Sequence, residues 1–124
     1  MNVLDIIWVG LAGSVGAATR FIVDGAVRAR LNSLVPAGTL LINVSGSLFF
    51  GALSGLVVFH HAPPVLALVG GAGFCGGFTT FSAASFETVR LLQQGELGAA
   101  GFNLGATVAG TVVAAAAGMA LASL

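Results

Sequence analysis

Eight charged side chains are all that this chain has: Asp5, Arg20, Asp24, Arg28, Arg30, Glu87, Arg90 and Glu96. The apolar stretches that separate them are too long and too continuous for folding in water. A soluble domain carries about 25% charged residues; here the share is 6%, against 57% hydrophobic, in 124 residues. An apolar stretch of about 20 residues crosses a bilayer core as a helix. Four such spans fit, at about 4–27, 39–59, 64–92 and 97–121. Breaks fall at Arg28–Gly38, which contains Pro36, at His60–Pro64, and at Gln93–Glu96. Pro63 and Pro64 suit a helix start, where the missing N–H is no loss. The expectation is an all-α membrane protein, one four-helix domain with no soluble domain or linker.

Composition excludes several function classes. Net charge is zero and there is no Lys, whereas a nucleic-acid partner needs a basic face. The lone Cys75 rules out an internal disulfide and a Cys-rich metal site. There is no nucleophile–base pair, no phosphate loop with a Lys and no metal-ligand cluster, so an enzyme is not expected. His60 and His61 read as loop residues. The first apolar run lacks a basic leader and reads as a retained helix.

The third span is the unusual one. Gly73 to Glu87 read GFCGGFTTFSAASFE, placing two adjacent glycines, two threonines and two serines at membrane depth. Non-helical backbone there is tolerated only where protein buries it or a watery cavity meets it. We therefore expect two half-helices meeting near Gly76–Thr80, beside an ion or substrate site. Other polar residues fall in stripes: Asn43, Ser47 and Ser54 in the second span, Phe81, Ser85 and Thr88 in the third, Asn103, Thr107 and Thr111 in the fourth. Such hydroxyls line a path, or bond back to their own turn or to a neighbouring helix; both readings stand. Asn43 offers two amide N–H groups, to an ion or to a packing partner. Phe81 is lipid-facing, core, or an anion contact through its electropositive ring edge. Arg20 is a functional candidate by its depth, or snorkels outward. The small pairs Ala12/Gly16, Gly51/Gly55, Gly101/Gly105 and Gly110/Ala114 allow close helix approach, within one chain or between two.

Three segments resemble one family. Gly13-Ser-Val-Gly-Ala-Ala-Thr-Arg20-Phe21, Gly38-Thr-Leu-Leu-Ile-Asn43-Val-Ser-Gly46-Ser47, and Gly73-Phe-Cys-Gly-Gly-Phe-Thr-Thr-Phe-Ser82 followed by Glu87 are similar, in order, to the signatures of the Fluc (CrcB) bacterial fluoride channels. With the chain length and the four apolar segments, the resemblance covers nearly the whole chain. It implies a fluoride-specific channel of the bacterial plasma membrane, embedded in lipid, passively exporting F⁻ that accumulates when HF enters the cell. It implies an antiparallel dual-topology dimer with two pores. It places Asn43 and Phe81 in the ion pathway, to which the polar positions of the three spans add Ser47, Ser82, Ser85, Asn103, Thr107 and Thr111, and it puts Arg20 and Glu87 in a vestibule. It also implies a structural Na⁺ at the dimer axis, held by the carbonyls of Gly76 and Thr79 from both subunits. One position departs: the family's second pore Phe is here Ala84. Phe86, two residues on, is rotated by about 200° and does not substitute.

Loops one and three share a face on which Arg28, Arg30 and Arg90 lie, and the positive-inside rule places that face in the cytoplasm with both termini outside. A bias of that size, together with Ala84, suggests that the second subunit is a paired homologue inserted the other way rather than a second copy. Two rivals remain. One is a half-functional or non-conducting member of such a pair. The other is a small multidrug-type proton-coupled antiporter, which needs a membrane-embedded acid and has only Glu87 to serve.

Overall fold

A computed structural model describes residues 1–124 as helices joined by short turns, with no strand. Helix α1 spans Val3–Arg30 and opens with a reciprocal cap: Asn2 accepts from the Asp5 amide while Asp5 accepts from that of Asn2, each at 2.9 Å. Arg28 and Arg30 were expected in the first loop but lie in the last turn of α1. The negative end of the helix dipole favours cations there, and Arg28 also pairs with Asp24 one turn back at 2.9 Å. Helix α2 spans Ala37–His60 and stops at His61, whose φ of 53° is left-handed.

The third span, Pro64–Gln93, is assembled from unlike pieces. A turn of α-helix, α3 (Pro64–Leu66), leads into a π-helical segment, Ala67–Cys75, and a second α turn, α4 (Gly76–Phe78). Thr79 and Thr80 are then extended, and α5 runs Phe81–Gln93. A turn with Gly95 at φ 76° leads to α6, Leu97–Ala122. All four spans are long and apolar enough to cross a membrane.

Glycine decides which helices touch. A Cβ on Gly77 would run into the Gly13 carbonyl, and one on Gly16 into that of Phe74, so α1 meets both the π segment and α4 backbone to backbone. Likewise Gly51 meets Ala115 and Gly118 meets Leu48, joining α2 to α6 in the most extensive contact of the fold. Phe74 stacks on Phe78 with centroids 5.7 Å apart and takes the edge of Phe49 at 6.2 Å. Of the small pairs expected to mediate packing, Gly51/Gly55 and Gly110 contact helices of the same chain, whereas Gly101 and Gly105 face open space. Only 20 of 124 residues are buried, so most of the apolar surface waits for lipid or another chain.

Candidate functional site

The centre of the site is the gap between α4 and α5. In a continuous helix the Thr80 amide would bond the Gly76 carbonyl. Here it donates to Oδ1 of Asn43 at 2.7 Å, and Nδ2 of Asn43 donates to the Thr80 carbonyl at 2.9 Å. Asn43 is 5% exposed and Thr80 9%. From the start of α2, Asn43 lies about 9 Å along the helix at 1.5 Å per residue, inside the membrane. On the other flank Arg20, half-buried, turns inward, and its Nη1 donates to the Thr79 carbonyl at 3.2 Å. The Thr79 hydroxyl bonds back to Cys75 at 2.8 Å.

Thr80 also starts the second half-helix. Its Oγ1 accepts from the Ala83 amide at 3.1 Å and lies 3.3 Å from Ser82 Oγ, which makes it the N-cap of α5. First-turn amides have no acceptor within their own helix, so those of Phe81 and Ser82 form the positive end of α5 at membrane depth. Phe81 projects from this end, 87% exposed. Ala84, three residues on, is by contrast buried within its own chain. A ring at that position would therefore first have to find room inside the subunit.

The remaining candidates divide by what they touch. Asn103 is buried in the seam between α5 and α6, where its Nδ2 donates to Thr88 Oγ1 at 2.8 Å; Thr88 in turn bonds the Ala84 carbonyl. Thr111 bonds back to the Thr107 carbonyl and Ser54 to that of Phe50, the local pattern that hydroxyls adopt in membrane helices. Ser47, Ser85 and Thr107 are half-buried. The stripe Asn103–Thr107–Thr111 is thus partly engaged within one subunit.

A cleft leads to this centre from the end where α1 carries Asp24 and Arg28 and α5 carries Glu87 and Arg90. Its outer part, about 630 Å³, is lined by Asp24, Arg28, Arg90, Gln94 and the 31–38 loop. An adjoining part of about 710 Å³ reaches Arg20, Thr39, Thr80 and Ser82, and both parts share Asp24, Arg28 and Glu87. Glu87 Oε1 accepts from Thr39 Oγ1 at 3.0 Å and from Arg28 Nη2 at 3.4 Å, while its Oε2 is buried without a partner. Thr39, Asp24 and Thr80 were not among the residues expected here. Thr80 alone carried a signal, as a Thr placed just before a helical run; the others act through contacts between distant positions.

The donor set at the break suits a small hard cation in one respect and opposes it in another. The Gly76 carbonyl is deprived of its helical donor, since Asn43 takes the Thr80 amide. The Thr79 carbonyl keeps a second lone pair but already accepts from a guanidinium.

The family model described as CrcB-like protein, Camphor Resistance (CrcB), matches residues 7–119. A protein of Leifsonia xyli subsp. xyli named Fluoride-specific ion channel FluC 1 is 44% identical over 100 residues, 81% of this chain and 73% of that one. Fluoride-specific ion channel FluC 2 of Cutibacterium acnes is 43% identical over 122 residues, 97% of this chain and 98% of its own. Fluoride-specific ion channel FluC of Syntrophotalea carbinolica is 42% identical over 120 residues, 96% and 98% respectively.

Proposed function

Since the chain belongs to the CrcB-like family, we infer that it is a fluoride-specific ion channel, a multi-pass protein of the bacterial membrane that releases F⁻ passively. The observation that carries this reading at the level of residues is the gap at Thr79–Thr80. Half-helix N-termini at mid-membrane are positive dipole ends that attract anions. Here that end is built by α5, with a freely projecting Phe81 beside it. Ring edges and neutral amides hold an anion without the deep trap a bare cation would make, and conduction needs binding that is strong enough for entry and weak enough for exit.

In this reading F⁻ enters by the cleft past Arg28 and Glu87, is drawn inward by Arg20, and passes Phe81 with Asn43, Ser82 and Ser85 nearby. Ser47, Thr107 and Thr111 serve the path beyond. The exposure of Phe81 supports completion of the pore by a second chain, antiparallel to the first and giving two pores. Ala84 supports a paired homologue as that chain. A structural Na⁺ would be held by the Gly76 and Thr79 carbonyls of both subunits, and would knit the two breaks together. The antiporter reading loses ground because Glu87, the acid it requires, is already engaged by Thr39 and Arg28.

Fluoride efflux from liposomes containing the purified chain, followed with a fluoride electrode, tests the reading. Fast electrogenic release by the chain alone fits a homodimeric channel. Release only after adding an oppositely inserted homologue fits the paired form. Absence of release in both preparations sinks the channel assignment.

A further inference from the structure

We infer that Asn43 is a positioning residue, its carboxamide pairing with the Thr80 backbone and so selecting the broken form of the third span. This role is separate from any contact Asn43 makes with the ion, and it deepens the channel reading by naming what holds the pore's central turn.

The argument is geometric. In a helix the N–H and C=O of one residue point in opposite directions along the axis, whereas an extended residue shows both to the same side. Thr80 is extended, at φ −149° and ψ 117°. A carboxamide carries a donor and an acceptor side by side, the complement of that edge. Asn43 uses both, at 2.7 and 2.9 Å, like one rung of a strand ladder. A helical Thr80 could not be paired in this way, so the bonds exist only when the span is broken. Both residues are buried, so water does not replace the partner, and an unmet backbone group there is costly. A carboxylate could accept from the amide but would face the Thr80 carbonyl with no donor, and a longer side chain would overshoot.

Three features of the site then follow from one side chain. The Gly76 carbonyl is left without its helical donor, Thr80 is fixed as the cap of α5, and Phe81 is presented at the tip of that helix. Arg20 holds the neighbouring carbonyl, Thr79, from the opposite flank, so the two extended residues are fastened from both sides.

Amide-resolved hydrogen exchange by NMR on the purified chain in micelles reads this directly and needs no fluoride. In the unmodified protein the Thr80 amide should exchange at least tenfold more slowly than the first-turn amides of Phe81 and Ser82, which have no helical acceptor. Asn43→Leu should accelerate Thr80 exchange roughly 30-fold, as expected for losing two buried hydrogen bonds, with α1 and α6 unchanged. Asn43→Asp keeps the acceptor for the amide but sets a carboxylate against the Thr80 carbonyl, so Thr80 exchange should rise by roughly tenfold or more. A Thr80 amide as fast as Phe81 in the unmodified chain, or unchanged in Asn43→Leu, overturns the proposal. So does an Asn43→Asp protein as slow as the original, since a carboxylate lacks the donor that the Thr80 carbonyl requires. The unmodified-chain comparison holds even if a variant fails to fold. A slow Thr80 amide in a chain that releases no fluoride would sink the channel reading and leave the positioning role standing.

Discussion

The two halves of the third span are held by different forces. From Pro64 to Phe78 the chain is apolar and glycine-rich, and it is fixed by backbone packed on backbone at Gly13, Gly16 and Gly77. From Phe81 to Gln93 there is little backbone contact of that kind. Instead α5 is secured by polar side chains: Thr80 at its cap, Thr88 to Asn103, and Glu87 to Thr39 and Arg28. Close packing tolerates almost no change of volume, while a polar bond is worth about 1 kcal/mol net and can be exchanged for another. The first half is therefore an anchor, and the second is the part whose chemistry can be tuned. The break lies where one regime gives way to the other.

The sharpest way to test the anchor is to add volume there and, as a control, at an open face of α6. Gly77→Val places methyl groups against the Gly13 carbonyl, backbone that has nowhere to go. Overpacking a filled interior costs about 1–3 kcal/mol and more where backbone must shift, so this variant should yield no monodisperse protein on size exclusion. Gly101→Ala adds a methyl to open space and should leave yield and thermal stability unchanged. Equal tolerance of both would break the comparison.

Phe81→Ile should show the second half's character. The ring is 87% exposed, so its loss should shift the melting temperature little. Yet the electropositive edge goes with it, worth about 0.5–1.5 kcal/mol per aromatic contact. Fluoride release should fall by about two- to tenfold, measured beside the unmodified chain in liposomes. A stability loss without a flux loss would make Phe81 a packing residue instead.

A smaller effect is expected about two turns further along α5. Thr88→Val keeps the shape of the side chain but removes the acceptor for Asn103, which is 2% exposed. Interhelical hydrogen bonds in membranes average about 0.6 kcal/mol and reach about 1.7. The leaving of a buried amide unpaired places this one at the upper end, about 1–2 kcal/mol, readable by thermal unfolding in detergent.

How much of this was legible in the sequence follows the same division. The four apolar helices are written in run length and in the scarcity of charge, which any reading of the chain detects. The region of the break is marked by Gly76-Gly77 and Thr79-Thr80, because those residues have no reason to gather in a lipid-facing helix. The π segment is not legible: Gly70, Gly71, Ala72 and Gly73 carry too little side chain for a period to show. The Asn43–Thr80 pair is 37 positions apart and the Thr39–Glu87 pair 48, so no local pattern announces either. The extension of α1 to Arg30 escaped because charge was read as a loop signal, when at a helix end it serves as a cap.

The smallest expected effect concerns Glu87, and it bears on the tunable half most directly. Glu87→Gln removes a charge near Arg28 but keeps an oxygen where Oε1 accepts from Thr39 and Arg28. The amide nitrogen takes the place of Oε2, which is buried without a partner, so one unmatched polar atom replaces another. The Arg28 pair is itself long, at 3.4 Å, with the arginine side chain 63% exposed, the setting in which ion pairs contribute about 0–1 kcal/mol. Fluoride release should therefore stay within about threefold of the unmodified chain, since less than 1 kcal/mol is at stake. A proton-coupled antiporter responds differently: with Glu87 as its exchanging acid, the same change abolishes transport. A tenfold loss in Glu87→Gln would show that the carboxylate acts on the ion itself, and that the polar network of α5 works as part of the path rather than as its scaffold.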